Sequence, residues 1–90
     1  MIEITKERGT RRVVVTAHGA LDDVAVGALL EALSLTDDET PVVIDLADAG
    51  ALATHREIGL ISALAFRAGP VCFRGARRYH RDLVRAASCG

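Results

Sequence analysis

Apolar positions along this chain switch between two periods. Ile2 and Ile4 alternate with polar neighbours, predicting a short amphipathic strand. Glu7-Arg8-Gly9-Thr10 reads as a turn, and Arg12 to His18 carries the β-branched run Val13-Val14-Val15 of a more deeply buried strand. The two runs predict a hairpin. The period then changes. Val26, Leu29, Leu30 and Leu33 recur at helical spacing, predicting a helix from about Asp23 to Leu35, with Asp22 or Asp23 as its cap. After the polar connector 36–41, Val42-Val43-Ile44 is the strongest buried-strand signal. Asp45-Leu46 is expected to end that strand, and Ala47 to Ala53 to form a loop. A second helix is expected near Thr54 or His55. Thr54 and Glu57 form a T-x-x-E capping-box pattern, Ile58, Ile61 and Leu64-Ala65 make the apolar face, and Gly69-Pro70 ends the helix. Val71-Cys72-Phe73 predicts a last short strand. A third helix is expected over about Ala76 to Ala87, with Tyr79, Leu83 and Ala86 inward and Arg77, Arg81 and Arg85 along its outer side.

The resulting order is β-β-α-β-α-β-α. It predicts a single α/β domain over residues 1–90, with right-handed βα crossovers and a mixed, mostly parallel sheet. The N-terminal strand joins antiparallel at an edge. Ninety residues, half of them apolar, support one core and leave no room for separate cofactor and substrate domains. No stretch approaches the ~20 apolar residues of a membrane span, and no apolar block follows the N-terminus as in a secretory signal. The expectation is a cytoplasmic protein without membrane partners.

The net charge of −1 conceals an asymmetry. Residues 1–66 hold five basic and eleven acidic side chains, a balance of −6. Residues 67–90 hold six Arg against Asp82 alone, a balance of +5. The Arg77/Arg81/Arg85 stripe reads as a solvated face or as a docking surface for an acidic partner. Direct nucleic-acid binding is not expected, given the acidic body, 3% aromatic residues and a pI near 6.3.

Little else points to chemistry. There is no G-x-G-x-x-G, phosphate loop, C-x-x-C or G-x-S-x-G. His18, His55 and His80 are scattered, at a strand end, a helix start and a helix surface. No metal site, cofactor or catalytic group is expected. Cys72 and Cys89 fit a buried strand thiol and a tail thiol in a reducing compartment, or a redox-linked pair.

Two motifs carry a family resemblance. Gly19-Ala20-Leu21-Asp22, after the Val-rich strand, resembles the G-x-L-D turn of STAS domains, the anti-sigma factor antagonist family. Val42-Val43-Ile44-Asp45-Leu46 resembles that family's β-branched strand ending in Asp-Leu. The resemblance covers about residues 10 to 88. It implies a STAS-like βα superhelix and a regulatory protein-binding role, with an anti-sigma factor kinase or related switch protein as partner. It also implies a phosphoacceptor where the family has D-S-S-G at a helix start. Counted without gaps, Ala53-Thr54-His55-Arg56 falls on that motif and makes Thr54 the candidate. A second register, with a three-residue insertion, places Glu57 on the Ser and Gly59 on the Gly. The capping-box pattern favours the first. The partner-binding candidates are Gly19, Asp22, Asp45, Thr54, His55 and Arg56. A degenerate, non-phosphorylated adaptor is the alternative, because Ala53 and Arg56 depart from the motif. Thr54 and Asp22 also read as ordinary helix caps, and Asp45 as a residue shaping its turn.

Overall fold

A computed structural model describes residues 1–7 and 9–86, without the side chain of Ala86. Its elements are β1 (Ile2–Lys6), β2 (Val13–Gly19), α1 (Asp23–Ser34), β3 (Val42–Ala49), α2 (Thr54–Leu64), β4 (Val71–Arg74) and α3 (Arg81–Ala86). The sheet order is β1-β2-β3-β4. β1 lies antiparallel to β2, with Ile4 opposite Val15, and the remaining pairs are parallel. This is the α/β architecture and element order that the apolar periods predict.

Strand alternation builds the core. Val13, Val15 and Ala17 of β2, Val42, Ile44 and Leu46 of β3, and Phe73 of β4 share one sheet face. They pack with Leu29, Ala32 and Leu33 of α1, Leu60 of α2 and Leu83 of α3. Val14 and Thr16 point to the other face, alongside Val43, Asp45, Cys72 and Arg74, their register partners in β3 and β4.

The structure corrects several expectations. β3 continues through Ala47, Asp48 and Ala49 because β2 supplies partners that far: His18 opposes Asp48 and Gly19 opposes Ala49. One extra β3 residue is accommodated between the Thr16–Asp45 and His18–Asp48 pairs, a bulge. α2 ends at Leu64, well before Gly69-Pro70. Its buried face runs through Glu57 and Leu60, whereas Ile58 is exposed. α3 starts at Arg81, so Arg77 precedes it and no Arg77/Arg81/Arg85 stripe runs along one helix. His80 is fully buried, and Tyr79 is part-exposed instead of inward. Cys72 is disulfide-bonded, which overturns its reading as a free strand thiol. Cys89, residue 87 and Arg8 of the first turn lie outside the described residues. Among the described residues, no helix is long and apolar enough to cross a membrane.

Candidate functional site

Two loops meet where β2 and β3 feed their helices. In the first, Gly19 adopts φ +80°, a conformation that L side chains rarely take, and this turns the chain out of β2. Leu21 is buried and pins the bend to the core. Asp22 is the N-cap of α1, its Oδ1 accepting from the Ala25 N–H at 2.9 Å. The G-x-L-D motif is thereby three separate requirements: a left-handed turn, an apolar anchor and a cap.

The second loop repeats the anchor. Leu52 is buried, between exposed Ala51 and Ala53. Ala53 is the N-cap of α2 and provides no side-chain cap. Thr54 is therefore the first helical residue and not the cap. The capping box does not form, because Glu57 faces the interior and accepts from the Asp82 N–H at 3.1 Å. Thr54 and His55 are exposed. Buried Glu57 cannot present a charge to a partner, which removes the gapped register for the motif.

The loops are tied twice. The Gly50 N–H donates to the Gly19 carbonyl at 2.8 Å. The Arg56 Nε donates to Asp23 Oδ1 at 2.7 Å, joining the first turns of α1 and α2. This bond holds the Asp23 carboxyl below its ordinary pKa and pushes the Arg56 guanidinium above its own. Gly19, Asp22, Thr54, His55 and Arg56 thus lie along one lip at the C-terminal edge of the parallel strands, the edge where open α/β sheets place their ligand sites. Val24 and Ile58, both exposed, add apolar surface to the first turns of α1 and α2.

Asp45 does not join them. Four further residues of β3 separate it from the strand end, roughly 13 Å at strand rise. Its Oδ1 instead accepts from the Ala47 N–H at 2.9 Å, within the bulge. The Asp of the Asp-Leu pair is a bulge cap.

The residues that brace the lip were not legible from the pattern. β4 ends opposite Asp45, so the last residues of β3 lack a strand on that side. Segment 75–80 fills the gap with side chains. Arg77 Nη2 donates to the Ala47 carbonyl at 3.1 Å, and the Tyr79 hydroxyl to the Ala49 carbonyl at 3.3 Å. His80 Nε2 pairs with the Gly50 carbonyl at 2.9 Å, while its Nδ1 accepts from the Arg77 N–H at 3.2 Å. The two bonds select the imidazole tautomer protonated at Nε2. Gly75 makes the approach possible. Its φ is +69°, and a Cβ there would sit 2.8–2.9 Å from Ala47 atoms.

Burial pushes the Glu57 carboxyl above its ordinary pKa, against the lowering effect of the Asp82 N–H. Its signal was present in sequence: positions 57, 60, 61 and 64 form a helical stripe whose first member is charged. Among the described residues, no group of three or more His, Cys, Asp or Glu is placed to hold a metal ion.

No protein-family model matches the chain, and no curated protein matches it by sequence. The fold does match solved structures. A crystal structure of a protein described as Mglu superposes with a TM-score of 0.65 at 19% identity over 87% of this chain. This chain spans 20% of the length of that one, so the architecture is similar to one part of a longer protein.

Proposed function

We propose that this chain is a regulatory protein-binding module of the STAS, or anti-sigma factor antagonist, type. Its partner is an anti-sigma factor kinase or a related switch protein, and Thr54 is the phosphoacceptor. The work is binding, not catalysis. The observation that carries this reading is the lip itself: an exposed hydroxyl at the start of α2, on a helix without a side-chain cap, tied to the 19–22 bend through Gly50 and Arg56.

Unmodified, the lip around Thr54 is only weakly charged: Arg56 and Asp23 satisfy each other, and Asp22 leaves a single negative charge. A phosphate would add about −1.5 to −2 charges. The exposed first turn of α2 favours an anion there. Arg56, two residues on, can then leave Asp23 for the phosphate. Asp22 and Asp23 would stand beside the new charge without a cation, and a partner fitted to the weakly charged surface would be repelled.

A second reading is a non-phosphorylated adaptor. Ala53 in place of the motif's acidic residue and the engagement of Arg56 with Asp23 favour it. Affinity capture from the source cell, with intact-mass analysis of the bait, separates the two. The switch expects a phosphoform at Thr54 and loss of the partner from Thr54→Glu, with Thr54→Ala retaining it. A single stable partner, no phosphate, and unchanged capture by Thr54→Glu would remove the switch and leave the adaptor.

A further inference from the structure

At the end of α2 remote from Thr54, the last turns of α1 and α2 enclose an open groove of about 670 Å³. Leu33 and Leu64 lie at its base, and Leu35 and Phe66 stand on its walls 77% and 87% exposed. Leu35 and Phe66 together make a contiguous apolar patch open to water, the kind of surface that marks an interaction site. The groove is also electronegative. Asp37 and Asp38 line it, and neither helix has a basic residue in its last turn to offset the negative end of its dipole. Among the described residues lining it, the one cation is Arg67, which is turned onto the protein and donates to the carbonyls of Leu33, Asp37 and Thr40.

The same chain carries the complementary surface. Arg78, Arg81 and Arg85 are exposed on and just before α3, and Tyr79 and Val84 lie among them 43% and 41% exposed. This surface belongs to the +5 segment and the groove largely to the −6 segment. One molecule cannot bring the two together. α3 is fastened to the first turn of α2 through Glu57 and the Asp82 N–H, whereas the groove lies at the last turn. From Glu57 to the end of α2 at Leu64 is seven residues, roughly 10 Å of helix.

We propose that the groove receives α3 of a second copy of this chain. Val84 and Tyr79 enter between Leu35 and Phe66, and Arg78, Arg81 and Arg85 face Asp37 and Asp38. The two surfaces are different and sit at opposite ends of α2, so the contact is head-to-tail. Repeated, it forms open chains or rings instead of a two-fold dimer. None of Gly19, Asp22, Thr54, His55 or Arg56 takes part, and Tyr79 can keep its hydroxyl on the Ala49 carbonyl, so the assembly leaves the proposed partner site in place.

The test is sedimentation of the intact chain across a concentration series. Mass should rise with concentration at low ionic strength and return to that of the monomer near 1 M salt, where charges are screened beyond about 3 Å. Phe66→Glu, which blocks the groove, and the double variant Arg81→Glu/Arg85→Glu, which blocks the helix, should each be monomeric with wild-type circular dichroism. Mixed in equal amounts, they retain one working groove and one working helix. The mixture should give a species of twice the monomer mass that grows no further. A wild-type chain that stays monomeric at low salt would overturn the proposal and assign the groove to another occupant. Self-association that ignores salt, or that survives in both variants, would overturn it equally.

Discussion

His80 offers the sharpest test of how the lip is held. Its imidazole is fully buried and joins two backbone groups, the Gly50 carbonyl through Nε2 and the Arg77 N–H through Nδ1. Truncation to Ala leaves both without a partner and opens a void. An unsatisfied buried backbone group costs about 1–3 kcal/mol, and these two sit in part-buried surroundings, so the expected loss is about 2–4 kcal/mol. That is a large share of the roughly 5–15 kcal/mol by which such a domain is stable. Each kcal/mol corresponds to about 4–8 °C in Tm at this size, so His80→Ala should melt at least roughly 8 °C lower. Two substitutions divide the effect. A Gln amide can reach the position of Nε2 and keep the Gly50 bond. An Asn carbonyl can stand in for Nδ1 and keep the Arg77 bond. Each should cost about half as much as Ala in urea unfolding at neutral pH. Amide exchange should show the tether: the Gly50 N–H, which donates to Gly19, should exchange faster in His80→Gln less than in His80→Ala. A loss under about 0.5 kcal/mol for Ala would refute the bracing role, since surface substitutions already reach that range. So would Asn and Gln each costing as much as Ala.

Three further outcomes follow from other contacts. Glu57→Gln keeps an acceptor for the Asp82 N–H and removes a desolvated charge. The folded state holds the Glu57 proton to a higher pH than the unfolded chain does. Glu57 therefore lowers stability as pH rises from the ordinary carboxyl value through the raised one. The Gln variant should gain on wild type in urea melts at pH 7 compared with pH 4, and an identical difference at both pH values would contradict this. Gly75→Ala meets both a positive φ and Ala47 at 2.8–2.9 Å, so chemical denaturation should show a loss above about 2 kcal/mol. Asp22→Ala removes the α1 cap and should cost about 1 kcal/mol, and Asp22→Asn, which keeps an acceptor for the Ala25 N–H, should restore most of it.

The strands and the placing of the first two helices were legible because β-branched runs and i, i+3, i+4 spacing report burial directly, although Ile58 of the expected α2 face is exposed. Val13-Val14-Val15 and Val42-Val43-Ile44 occupy the two central strands, and Asp22 caps α1 as its position implies. What could not be read depends on tertiary partners. Ala47-Asp48-Ala49 has poor strand propensity and is extended only because β2 runs alongside. Ala76 to His80 contains good helix formers, yet Arg77, Tyr79 and His80 spend their side chains on β3 carbonyls and hold the segment as a turn. For the site, the G-x-L-D bend and the position of Thr54 at a helix start came from the sequence. The role of Asp45 did not, since a bulge arises from the register of two strands and leaves no mark in one of them.

The side chains that cover the upper part of β3 also have a protective effect. A bare strand edge invites pairing with other chains and, through that, fibrous aggregation. Here the Ala47, Ala49 and Gly50 carbonyls are already paired with a guanidinium, a phenol and an imidazole, so they are not free for the N–H groups of an incoming strand. That stretch of the rim is therefore closed to an added strand, while the exposed first turns of α1 and α2 beside it stay open.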